Sequence, residues 1–185
     1  VSTTDASGID GVGGYVFRPE FPDQVWLVSV PWPPDILEAL QNASSGRARD
    51  ARAVSGSESG VEALASSPAE LFGMFAVPAA VAHHTPPAAT YVAAIGDCEP
   101  AVFTVRRASA RDACMHAILT DGLRGQAFWL AVHARRTANL DADLLSHPDK
   151  LHTAVASAEA AGLTVHTITE LPGGERAWDA LRAAT

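Results

Sequence analysis

Basic and nucleophilic side chains in this sequence gather where apolar runs end. In "QAFWLAVHARR" an apolar stretch passes into His133, Arg135 and Arg136, and in "AVFTVRRAS" another passes into Arg106, Arg107 and Ser109. Guanidinium groups hold carboxylate or phosphate through two parallel hydrogen bonds. A serine opening a helix adds free N–H groups and a dipole that favour anions, and imidazole can move a proton near neutral pH. Arg106, Arg107, Ser109, His133, Arg135 and Arg136 therefore make a candidate site for a small anionic ligand, with His133 as acid–base if the protein is an enzyme. The plainer reading is solvated strand-end arginines, with Arg135 and Arg136 paired to Asp141 and Asp143 for little net stability. Neighbouring strand residues also point to opposite faces, so one of each pair at most can enter a shared pocket.

Two other chemistries are weaker. His83, His84, Cys98, Cys114 and His116 are ligand types that suit zinc, but no CxxC or HxxxH spacing occurs, and Cys114 and His116 lie two apart on an expected helix, facing different directions. No metal site is expected from them. Cys98 stands between Asp97 and Glu99, an acidic setting that disfavours a reactive thiolate. The serines lack a GxSxG elbow, and neither a GxGxxG fingerprint nor a P-loop lysine is present, so no cofactor is expected.

The formal charge of −8 argues against a duplex nucleic-acid partner, which a basic stripe normally serves. No apolar run reaches the roughly 18 residues of a membrane span. The opening "VSTTDASGIDGVGG" has neither the basic region nor the apolar core of a signal peptide, and residues 1–12 are expected as a disordered tail. Two cysteines make no disulfide framework, and a cytoplasmic location follows as the default.

The elements that must position these residues are read from caps and β-branched runs. Strands are expected near 13–17, 25–30, 91–95, 101–106, 126–134 and 163–169. Helix starts are expected at Ser59, Ser67, Ser109 and Ser146, each three residues before an acid, with a helix end at Gly162. "SPAELFGMFAVPAAVAHH" is expected as a helix interrupted at Pro78, and 42–60 as a mobile loop. Strand–turn–strand–helix recurs from Tyr15 and from Tyr91, which suggests an internal duplication. Strand 126–134 is apolar on both faces and is expected at the sheet centre. If 101–106, 126–134 and 163–169 run parallel, their C-terminal ends meet at one edge, where open α/β sheets bind ligands.

The fold expected is one α/β domain over 13–185, with α+β as the alternative: a mixed sheet covered by helices. The function expected is a non-catalytic binding or regulatory module contacting a small anionic ligand or a protein partner. The alternative is an enzyme acting on a phosphate- or carboxylate-bearing substrate. Trp32, framed by prolines in "VPWPPD", offers either a partner contact or a hydrophobic staple. An edge strand at 13–17 or 91–95 could pair across a homodimer.

Overall fold

The computed structural model describes residues 1–40, 60–85, 91–124 and 128–182. Six strands form one mixed sheet: β1 (Ser2–Ala6), β2 (Gly11–Arg18), β3 (Phe21–Pro31), β4 (Tyr91–Gly96), β5 (Phe128–His133) and β6 (Thr164–Ile168). Their spatial order is β5-β4-β1-β2-β3-β6. β2 pairs antiparallel with both β1 and β3, while the β1–β4, β4–β5 and β3–β6 pairs are parallel. Helices cover both faces, so the chain has an α/β architecture.

Helix α1 spans 34–40 among the described residues; α2 is Gly60–His84, α3 Glu99–Arg107, α4 Ala113–Gly122, α5 Leu140–Leu145, α6 Leu151–Ala160 and α7 Asp179–Arg182. The larger core joins α2, α3, α4 and α7 to one sheet face through Val12, Val28, Leu71, Met74, Val102, Ile118 and Leu181. Trp32 is buried in this core, with Nε1 donating to Ser7 O at 2.6 Å and its ring edge-on to Trp178. The smaller core packs α5 and α6 on the other face through Val25, Leu27, Leu145 and Ala154.

The helix-end signal at Gly162 acts as read: α6 ends in a Schellman turn, in which Gly162 takes φ 82° and Leu163 N–H donates to Ala158 O at 3.1 Å. The break expected at Pro78 does not occur, and α2 continues through that residue.

Others are corrected. Residues 1–12, expected as a tail, supply β1, a central strand whose Ser2, Thr3 and Thr4 are buried. Residues 101–106, expected as a strand, lie in α3. Pro100 sits in its first turn, Glu99 and the Arg106–Arg107 pair complement its dipole, and Ala101, Val102 and Val105 form its buried side. The strand–strand–helix repeat therefore fails in its second copy. β5, expected at the centre, is an edge strand with Leu130 63% exposed. Ser67 lies inside α2, which begins earlier at Gly60. Asp112 caps α4 in place of Ser109, accepting from Met115 N–H at 3.0 Å. α5 ends where Ser146 was expected to open a helix, and a 3-10 turn, Gly174–Trp178, precedes α7. The loop expected at 42–60 falls almost wholly on residues outside the described ones.

Candidate functional site

The chain leaves β1 toward β2 on one side and leaves β4 toward β5 on the other, so the adjacent β1 and β4 flank the point where strand order reverses. In open α/β sheets such a point opens a crevice at the C-terminal strand ends. The parallel register Ser2↔Ala94 and Thr3↔Ile95, carried forward two residues, brings Asp5 beside Asp97. Thr4 Oγ1 donates to Ile95 O at 3.4 Å across this junction.

A third acid arrives from α2. At Gly73 the helix backbone lies so close to the sheet that a Cβ there would fall 2.9 Å from Val12 Cγ2 and 3.8 Å from Asp5 O. Glu70 lies one helical turn earlier, on the same side, and so reaches over the end of β1. Asp5, Glu70 and Asp97 each offer an oxygen, all within 4.8 Å of one another.

Burial makes this cluster unusual. Asp5 and Glu70 are each 7% exposed and Asp97 is half-buried. Among the described residues, no arginine or lysine forms an ion pair with any of the three. Loss of hydration, followed by the charges of Asp5 and Asp97, pushes the Glu70 carboxyl well above the usual carboxylate range; the backbone N–H of Ala6 partly opposes this. Asp5 is also raised, mainly by burial and then by Asp97 and Asp143, while Ser146 and Arg136 pull it back. Like charges gathered away from water must take up protons or hold a cation.

α5 completes the surroundings. Its backbone packs on β2 at Gly13, where a Cβ would fall 2.1 Å from the carbonyl of Leu145. Asn139, 2% exposed, donates from Nδ2 to Thr4 O at 3.1 Å, tying the start of α5 to β1, while its Oδ1 is buried without a hydrogen-bond partner. Ser146 Oγ donates to Asp143 O at 2.9 Å. Beyond it, His147 Nδ1 meets Asp10 Oδ2 at 2.6 Å, fastening the β1–β2 turn to the end of α5.

The residues singled out from sequence divide between two places. His133, at the end of β5, donates from Nε2 to Asp97 O at 3.0 Å. Arg136 lies 3.6 Å from Asp143 Oδ1. Both therefore border the carboxylates, while Arg135 is exposed at the start of the 3-10 turn between β5 and α5. Arg106 and Arg107 lie at the other end of α3, about 12 Å along its axis. Arg106 Nε donates to Ala131 O at 2.8 Å, and both guanidiniums lie over the Phe103 ring. Ser109 is exposed in the α3–α4 connection. The Arg106 bond fastens α3 to the edge strand, and the helix carries Arg106 and Arg107 away from the end a strand would have reached.

The candidate zinc ligands do not converge in a group of three among the described residues. Cys114 is a core residue, and Cys98 sits beside Ser67 Oγ at 3.5 Å, its thiol pushed up by burial. Three carboxylates form an all-oxygen set, which favours hard cations such as Mg²⁺ or Mn²⁺ over thiophilic ones. No known protein family, characterised protein or solved structure matches the chain. Among the described residues, no helix is long and apolar enough to cross a membrane.

Proposed function

We propose that the protein is a divalent-cation-dependent enzyme that hydrolyses a phosphate ester, with Asp5, Glu70 and Asp97 as the cation ligands. The observation that carries this reading is the convergence of three acids, two of them buried, from three separate elements at a sheet switch point. A non-catalytic module for anions has no need of buried carboxylates, which repel an anion unless a cation lies between. Mg²⁺ characteristically binds through a few carboxylates and substrate phosphate together, and paired cations stabilise both the attacking and the leaving oxygen of a displacement at phosphorus.

Charge favours a phosphodiester. Three carboxylates with two divalent cations leave one positive charge, which a phosphodiester monoanion neutralises and a monoester dianion exceeds. Nucleic-acid backbone belongs to this class; the acidity of the chain still disfavours a duplex held on a basic surface, but weighs less against phosphate reached through cations. His133 flanks Asp97 and is placed to assist proton transfer, while Asp143 and Arg136 border the opening. A reducing, cytoplasmic setting belongs to the same proposal and suits a chain with no disulfide among the described residues.

The test is hydrolysis of bis(p-nitrophenyl) phosphate, and of single-stranded, duplex and hybrid oligonucleotides, with Mg²⁺ or Mn²⁺ and with EDTA. Cation-dependent turnover that Asp97→Asn reduces at least 100-fold, with the fold retained, is the expected result. Turnover unaffected by EDTA, or no cleavage of any of these substrates, would reject the proposal.

A further inference from the structure

We infer that Arg136 is an exchangeable counter-ion, one that neutralises the acidic site while it lacks cations and turns to the substrate phosphate once they bind. The inference rests on the cation-dependent reading above and adds a binding role for a residue outside the three ligands. Arg136 opens the 3-10 turn directly after β5, and its Nη2 stands 3.6 Å from Asp143 Oδ1, an ion pair too long for a hydrogen bond. The side chain is 82% exposed, so no packing fixes it there. Arg106 differs, being held by a 2.8 Å bond to Ala131 O and by the Phe103 ring.

Among the described residues, the field of Arg136 reaches both Asp5 and Glu70. Arg136 is loosely held, beside Asp143 and within electrostatic reach of Asp5 and Glu70. Cations entering among Asp5, Glu70 and Asp97 would take over this compensation and repel the guanidinium. A divalent ion and a guanidinium roughly 7 Å apart in a water-like dielectric repel by an amount worth about 5- to 10-fold in affinity. The released guanidinium has the planar pair of donors that matches phosphate oxygens. Arg136 thus opposes cation binding and favours substrate binding, two effects of opposite sign from one side chain.

The test compares wild type, Arg136→Gln and Arg136→Lys by Mn²⁺ titration calorimetry and by Mn²⁺-supported cleavage of bis(p-nitrophenyl) phosphate. Arg136→Gln is expected to bind Mn²⁺ about 5- to 10-fold more tightly while its KM rises about 10-fold with kcat little changed. Arg136→Lys keeps the charge and loses the fork, so its Mn²⁺ affinity should stay at the wild-type value while KM still rises. Unchanged Mn²⁺ affinity in Arg136→Gln, or a lower kcat at constant KM, would overturn the inference alone. Absence of Mn²⁺ binding by the wild-type chain would overturn the metal reading together with it.

Discussion

Replacing Glu70 by glutamine should make the protein more stable without cations and less stable with them. Asp5 and Glu70 are both buried, with oxygens no more than 4.8 Å apart. At an effective dielectric of 20, two full charges at that distance repel by about 3.5 kcal/mol. Proton uptake relieves part of this, so a gain of about 2 kcal/mol is expected for Glu70→Gln in EDTA at pH 8. For a chain of this size that corresponds to a rise in Tm of about 4–8 °C. The amide keeps an oxygen able to accept from Ala6 N–H, and its new NH2 donors lie among the acceptor oxygens of Asp5 and Asp97. A cation at 100 times its dissociation constant stabilises the wild type by about 2.7 kcal/mol, and the variant should lose most of that. Differential scanning fluorimetry with EDTA and with a Mn²⁺ series reads both effects, and the two melting curves should exchange order. A variant that melts below wild type in EDTA would refute the reasoning, because Glu70 would then be a net stabiliser and the cluster no reservoir of repulsion.

pH should act through the same two groups. Asp5 and Glu70 bind protons more strongly folded than unfolded, so their contribution to stability is complete below about pH 4 and declines as pH rises through their elevated folded values. Wild type in EDTA should therefore lose Tm from pH 5 to pH 8 more steeply than Glu70→Gln; parallel slopes would remove these carboxyls as the cause. Cation stabilisation should grow over the same range, since the ion competes with protons. Gly73→Val should cost about 1–3 kcal/mol by forcing α2 off Val12, and Mn²⁺ affinity should fall with it as Glu70 is displaced. Calorimetry showing wild-type affinity would mean that the close approach at Gly73 does not position Glu70.

Much of the sheet was legible because β2, β3, β4, β5 and β6 carry β-branched or aromatic runs between turn residues. β1 was not, because Ser2, Thr3, Thr4 and Asp5 show no apolar alternation; the strand is central because neighbours on both edges satisfy its backbone. α3 was misread because Val102, Val105 and Thr104 favour strands, although Glu99 and Pro100 marked a helix start. His133 and Arg136 could be placed near a strand end from sequence, so the border of the carboxylate cluster was legible. Its centre was not, since Asp5, Glu70 and Asp97 belong to no contiguous motif and meet only through parallel pairing and the close approach of α2. One local signal was available: Asp97 follows a strand and precedes the Glu99–Pro100 helix start, at a strand end where crevices form.

The central position of β1 also governs how the chain can fold. The β1–β2–β3 ribbon needs only two tight turns and can form early, but β4 must travel across about 85 residues of chain before it covers the other edge of β1. At typical synthesis rates of roughly 5–20 residues per second, that edge stays bare for several seconds on the ribosome. Parallel closure over such a separation is slow by its topology, and a bare strand edge is a template for pairing with other chains. Ser2, Thr3 and Thr4 give that waiting edge a polar character, so the composition that hid β1 also suits a strand that must remain solvated until its partner is made.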